Sequence, residues 1–526
     1  MRYFVKKRSF NRENILMAGL FFTDEDMERI EAEGLNEEKA LSQLEEFKRG
    51  APFARLARPC TIGDGITVIP EDERKGLIAA HDEAVGNGRM LKFVPASGAA
   101  SRMFRDWFRS YENGDLDFTP ERGMNFAEEL KRYAFYNDVR DVISGEGYNI
   151  DDLVKKGMFS MILEYILTSR GLNYAHIPKA LLKFHAYPDR SRTPLEEHMV
   201  EAALCVRDAG SVCRIHITVS EEHKSMVEDY FFRVRGYYEN QYRVAFDFRL
   251  STQHASTNTI AADMENRPFR DSGGMLVFRP AGHGALLKNL NAVDGDIIFL
   301  KNIDNVVPDG LKGATVRYEK MLGGCLARLQ EEAFKYLRQL SLDQIDEKLL
   351  SEAARFCKKK LNLTFPSGFS GLPGAERRDF IVGRLNRPLR VCGMVKNEGE
   401  PGGGPFHVED EDGTQSLQII ERDQVNMGSE DQKTIWRSST HFNPVDIVCG
   451  VRDFRSKKFD LNRFVDKKAI LITRKSQGGR DLKALELPGL WNGSMARWNT
   501  IFVEVPIETF NPVKTVNDLL RKEHMA

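Results

Sequence analysis

The chain has 526 residues, too many for one hydrophobic core, so two or three domains are expected. Its 76 Lys and Arg nearly cancel its 77 Asp and Glu, and 41% hydrophobic with 29% charged residues is the make-up of an ordinary globular enzyme. That balance excludes a protein drawn to nucleic acid or anionic membrane by its overall field, so any anion site has to be a local arrangement.

The first helical pattern runs from about 23 to 50, opened by Thr23, with Met27, Ile30, Leu41, Leu44 and Phe47 as its apolar positions. A second helix is expected over Glu73–Asn87, and residues 1–88 read as an N-terminal helical extension. The start is basic, but no long apolar stretch follows, so no signal peptide is expected; Met1 and Met17 are alternative starts.

From residue 89 the texture changes. Leu91–Pro95 is a short strand entering a small-residue loop, Ala96-Ser97-Gly98-Ala99-Ala100-Ser101, with helix after it. Further strands are expected at 213–219, 243–248, 275–278 and 296–300. Between them, residues 194–208 read as helix, with Thr193 as cap, Pro194 in the first turn, Glu196 completing a capping box and Gly210 ending it. Strands alternating with helices imply an α/β fold with a doubly wound, mostly parallel sheet over 89–330, where ligands sit beyond the C-terminal strand ends. Residues 331–499 read as a C-terminal α+β region, beginning with charged helices and continuing through Gly- and Pro-rich chain to a short strand at 469–472. Pro401–Pro405 reads as a tight loop, and 440–446 and 491–493 as loops able to line a sugar pocket. The final segment, 500–526, opens with a strand at 501–505.

Seven cysteines (Cys60, Cys205, Cys213, Cys325, Cys357, Cys392 and Cys449) are scattered without a Cys-x-x-Cys pair. An odd, dispersed set reads as reduced thiols in a cytoplasmic protein, not as a disulfide framework or a zinc site. No run approaches a membrane span, so neither membrane nor nucleic acid is expected as a partner.

Four motifs carry chemistry. In the loop 96–101, small residues let backbone N–H groups approach an anion, and Arg102 can grip a phosphate with its planar fork. The second is Pro178-Lys179-Ala180-Leu181-Leu182 followed by Thr193-Pro194-Leu195-Glu196-Glu197-His198. The third joins Gln253, at the end of a strand-like run, to Pro280-Ala281-Gly282-His283-Gly284 and Asn302-Ile303-Asp304-Asn305. The fourth is Phe510-Asn511-Pro512-Val513-Lys514-Thr515-Val516-Asn517-Asp518-Leu519-Leu520. Taken singly, each has a plain reading: a tight turn, a turn histidine, a capping aspartate, solvated lysines.

In this order the motifs resemble those of the sugar-1-phosphate nucleotidyltransferases, most of all the eukaryotic-type UDP-sugar pyrophosphorylases. Ala96-Ser97 stands where that signature has Gly-Gly, and Ser101 where it has Thr. The resemblance covers roughly 91–310 and 500–521; the whole chain looks like a bacterial domain-of-unknown-function family of the nucleotide-diphospho-sugar transferase superfamily. It implies a GT-A-like fold and transfer of a nucleotidyl group from an NTP, with UTP expected, to a sugar-1-phosphate. The nucleotide would be held by Ala96, Ser97, Gly98, Ala99, Ala100 and Ser101, with Gln253 reading the base and Gly282, His283 and Gly284 packing against it. Asp304 would ligate Mg²⁺, and Arg102, Lys179 and Lys514 would neutralise phosphate charge. The alternative is a non-catalytic nucleotide or sugar-nucleotide binder of the same fold. A glycosyltransferase would need an Asp-x-Asp metal motif, which the 302–305 segment does not contain. Base, sugar and oligomeric state stay open.

Overall fold

The structure, a computed structural model, describes residues 22–98, 100–112, 120–342, 346–399, 402–410, 412–443 and 446–525. Met1, Met17, Ala99, Pro401, Pro444 and Val445, which the sequence reading singled out, lie outside the described residues.

Among the described residues ten strands form the central sheet: β1 (Thr61–Ile62), β2 (Gly65–Thr67), β3 (Met90–Pro95), β4 (Val212–Val219), β5 (Ala245–Thr252), β6 (Ile297–Lys301), β7 (Leu389–Lys396), β8 (His441–Phe442), β9 (Asp446–Gly450) and β10 (Asn499–Glu504). Their spatial order is β1-β2-β10-β7-β9-β6-β3-β4-β5, with β8 pairing β7 off that path. β9 runs antiparallel to both β7 and β6, and β8 antiparallel to β7; the other pairs are parallel. The fold is thus α/β with a largely parallel sheet, and β7–β10 add four strands from the C-terminal part of the chain to it.

β6 explains why. Its five residues are all buried; the first four are apolar because a strand covered on both faces sends side chains into a core on each side, and the fifth is Lys301. Ile297 and Phe299 enter one core, whereas Ile298 and Leu300 enter the other. The first core is roofed by α1 (Glu71–Gly86), α2 (Pro194–Cys205), α3 (Lys224–Tyr242) and α4 (Lys312–Leu340). The second packs on Leu286, Leu287 and Leu290 and on the 490–498 turn. α1 and α4 cross so closely that a Cβ on Gly324 would lie 1.8 Å from the Leu77 carbonyl oxygen. Only glycine fits there. A third core joins the helices of 103–167 to Val306, Val513, Val516 and Leu519.

Several boundaries differ from expectation. The 23–50 pattern is two helices, Asp24–Ala32 and Glu37–Arg49, broken where Gly34 adopts φ +68°. α2 has the expected Thr193–Glu196 capping box but ends at Cys205, short of Gly210. Gly404 and Pro405 open a strand, Gly404–Glu409, instead of closing a loop. His441–Phe442 and Asp446 belong to the sheet, because their backbone groups pair with β7 and β6. Of 275–278, only Phe278 lies in a strand, paired with Ile260 outside the central sheet. Among the described residues no helix is long and apolar enough to cross a membrane.

Candidate active site

The adjacent parallel strands β3 and β6 end side by side, and the Ile303 N–H donates to the Pro95 carbonyl at 3.3 Å. This link sets Asp304 beside the loop that leaves β3. Ala96 N–H donates across to Thr218 of β4 (2.8 Å), and Ala100–Arg102 form a single 3-10 turn before the helix Arg105–Glu112.

Asp304 is 6% exposed, and two lysines converge on one of its oxygens. Lys179 Nζ donates to Oδ2 at 3.0 Å and to the Val513 carbonyl at 2.9 Å; Lys514 Nζ donates to the same Oδ2 at 3.0 Å. Oδ1 is buried and has no hydrogen-bond partner among the described residues. Burial pushes the Asp304 pKa up, but the Lys179 and Lys514 ammoniums outweigh it, so the carboxyl lies below the usual value. Lys179 is drawn down, first by burial, then by the positive charges of Lys514 and Arg102, with Asp304 opposing. The carboxylate is therefore ionised, with one hard oxygen unpartnered. That donor fits a Mg²⁺ ion, which commonly takes one or two protein carboxylates and completes its shell with water and substrate phosphates. Asp304 is the residue that would hold it.

Lys514 reaches the site because Asn305 anchors its segment. The Asn305 amide donates to Thr509 O (3.2 Å) and accepts from Asn511 N–H (2.8 Å), and Val513 N–H donates to Asp304 O (3.1 Å). Beyond it, Asp518 Oδ2 accepts from the backbone N–H groups of Lys514 and Thr515 at 2.8 and 2.7 Å, and Val516 N–H donates to Met103 O (3.1 Å). The lysine side chain remains 61% exposed although its ammonium is fixed.

Gln253, half-buried, follows the last residue of β5, three strands from β6, so it stands about 14 Å along the same crest at ordinary strand spacing. The neighbouring helix Leu287–Ala292 is tied to this end by Asn289, whose amide donates to Ser251 Oγ and to Thr252 O, both at 2.8 Å. The Gly282–Gly284 turn faces inward: His283 Nδ1 accepts from Leu490 N–H (3.0 Å), its ring stacks on Trp491 at 3.9 Å, and a Cβ on Gly284 would lie 2.4 Å from Pro488 O. The structure therefore gathers Lys179, Asp304 and Lys514, with Arg102 near enough to act on Lys179. Gln253 and the 282–284 turn stand apart from this trio.

A buried charge network under the site escaped the sequence reading. Lys92 of β3 and Lys301 of β6 both bind Glu201 of α2, and Lys301 also binds Glu319 of α4 (3.0 Å). His198 Nε2–H donates to the carbonyls of Asn302 (3.2 Å) and Ile303 (3.3 Å), immediately before Asp304. Burial, helped by the Lys92 charge, lowers His198 to about 3, so it is neutral. Asp446, opposite Lys301 in the sheet, is pushed up by burial to about 7, and its Oδ1 has no partner among the described residues. A lysine inside each of two otherwise apolar strands, Leu91-Lys92-Phe93 and Phe299-Leu300-Lys301, was the available signal.

Solved structures similar to this one include a uridine diphosphate N-acetylglucosamine pyrophosphorylase from Trypanosoma brucei in complex with an inhibitor. It shares 12% identity at a TM-score of 0.46, over 98% of this chain and 80% of that one. A UDP-glucose pyrophosphorylase variant from Leishmania major in complex with UDP-glucose shares 11% at 0.45, over 94% and 77%. No curated protein matches the chain. A family model described as "Domain of unknown function (DUF4301)" matches residues 23–525.

Proposed function

The chain belongs to the DUF4301 family, and we propose that it is a Mg²⁺-dependent sugar-1-phosphate nucleotidyltransferase. The observation that carries this reading is the meeting of Lys179 and Lys514, 335 positions apart in the chain, on one oxygen of a buried aspartate whose other oxygen has no partner among the described residues. Two ammoniums, a nearby guanidinium and one carboxylate leave a net positive charge at the strand ends, suited to phosphate groups.

In the reaction, an oxygen of the sugar-1-phosphate attacks the α-phosphorus of the NTP. The new P–O bond forms as the bond from Pα to the bridging oxygen breaks, and pyrophosphate leaves with that electron pair. No protein nucleophile is required, so positioning and charge neutralisation do the work. Lys179 is fixed by Asp304 and Val513 O and would face the transferring phosphate; Lys514, more exposed, would meet the incoming one. Arg102 and the 96–101 loop would hold the departing pyrophosphate. When bound at Asp304, Mg²⁺ would supply positive charge shared between the reacting phosphates. Gln253 would present a donor and an acceptor to the base, with UTP as the expected donor.

The test is a screen of UTP, CTP, ATP and GTP against sugar-1-phosphates, reading pyrophosphate release by the full chain with Mg²⁺. Release with one NTP–sugar pair, and its loss in excess chelator, is expected. Nucleotide binding without release from any pair would replace this reading with that of a non-catalytic binder.

A further inference from the structure

β5 ends the central sheet, and among the described residues no strand lies beyond it. It is eight residues long, the kind of edge that offers an unpaired backbone ladder to another chain. Its hydrogen-bonding parity is fixed by its neighbour. Ala245 N–H donates to Ser211 O and Gln253 N–H to Val219 O, so odd-numbered residues face β4 and Phe246, Phe248 and Leu250 point their N–H and C=O groups outward. The Phe246 N–H is capped by Glu239 Oε1 of α3 at 3.0 Å.

That contact also shows which side of α3 overhangs the open edge. Phe232 and Arg235 lie seven and four residues before Glu239, on the same helical stripe. Phe232 is 57% exposed, and its neighbour Phe231 stacks on Phe248 at 3.7 Å. A large, mostly exposed ring, flanked by Phe231 and the Arg235 guanidinium, therefore stands on the rim of the open edge. On the opposite face of β5, Asp247 and Arg249 pair at 3.2 Å, with the arginine side chain 63% exposed.

We propose that β5 pairs antiparallel with β5 of a second copy of this chain, about a two-fold axis through Phe248. In that register Phe248 faces its own copy and Phe246 faces Leu250, both as hydrogen-bonded pairs, with the Phe246 N–H passing from Glu239 to the Leu250 carbonyl of the second copy, which matches the outward parity. Asp247 then faces Arg249 in the narrow, non-hydrogen-bonded sites where cross-strand side chains lie closest. The strand is self-complementary in charge, as an isologous interface requires. Charges on an edge usually repel a second strand; here the two-fold converts them into two cross-strand attractions. Phe232 from each copy would cover the helical side of the seam.

Sedimentation velocity on the full chain tests this. The parent should sediment as a dimer, and Arg249→Asp should weaken association by at least roughly 10²-fold, because both cross-strand contacts become repulsive. The double variant Asp247→Arg with Arg249→Asp should restore the dimer, which no loss of folding can mimic. Phe232→Ser, on a different element, should weaken association without changing the melting profile. A parent that stays monomeric at about 100 μM, an Arg249→Asp protein that dimerises like the parent, or a double variant that stays monomeric would each overturn the proposal. None of these residues belongs to the Asp304 site, so the outcome is independent of the reaction proposed above.

Discussion

Asp304, just past β6, and Glu201, on α2 against the end of β6, are both buried carboxylates held by two lysines, yet they are held differently. Glu201 receives Lys301 on Oε1 and Lys92 on Oε2, so both oxygens are engaged, and the three side chains are at most 4% exposed. Asp304 receives Lys179 and Lys514 on Oδ2 alone, keeps Oδ1 without a partner among the described residues, and one of its lysines is largely in solvent. A saturated buried ion cluster fixes a scaffold. A lopsided one, with an open oxygen and a reachable ammonium, has coordination left for a ligand. The two sets are linked, because Lys301 closes β6 and His198 clamps the carbonyls of Asn302 and Ile303 just before Asp304.

The comparison breaks most visibly if Glu201 is neutralised. Glu201→Gln leaves Lys92 and Lys301 buried with half their compensation, and removing one partner of a buried pair costs about 3–5 kcal/mol. Urea unfolding should show that loss; a midpoint like the parent's would mean the cluster is not a scaffold. Lys514→Ala should do the reverse. Its kcat should fall by roughly 10²–10³, about 2.7–4 kcal/mol, the effect of deleting one preorganised charge donor. Its Tm should scarcely move, since the side chain is mostly exposed, and Lys514→Arg should recover only part of the rate because a planar fork does not replace a compact ammonium.

Asp446 sharpens the contrast through pH. Its folded pKa is raised by burial to about 7, whereas unfolded it should titrate near ~3.9. Between those values the native chain keeps a proton that the unfolded chain releases, so stability present at low pH is lost as pH rises through 7. Asp446→Asn should abolish that slope, an effect on the order of 3–4 kcal/mol at most between pH 4 and 7. An unchanged slope in denaturant titrations would assign it to other groups. The smallest effect is expected at Gln253: Gln253→Ala should alter the ranking of UTP, CTP, ATP and GTP by about 1–3 kcal/mol in kcat/KM, and an unaltered ranking would remove it from base reading.

Much of this was legible because some signals are local. Thr193, Pro194 and Glu196 specify a helix start on their own, and apolar runs such as 297–300 specify buried strands. The Asp304 and Lys514 motifs stood out through their order along the chain, although nothing local said that their side chains would meet. The contributions of β7, β8 and β9 were not legible. His441–Phe442 is too short for any periodicity, and Asp446 breaks the apolar pattern at the strand's first position. The network around Glu201 was hidden for the same reason: its members come from β3, α2, β6, α4 and β9, and only the sheet register brings them together.

The most direct measurement is passage of label from radioactive pyrophosphate into NTP, with the matching nucleotide sugar and Mg²⁺, by the parent, Asp304→Asn and Lys514→Ala proteins side by side. The account requires rapid label transfer by the parent, none in excess chelator, and strong loss in both variants while Lys514→Ala melts as the parent does. Undiminished transfer by Lys514→Ala and Asp304→Asn would contradict it, because the reaction would then be proceeding without the carboxylate and the ammonium that define the site.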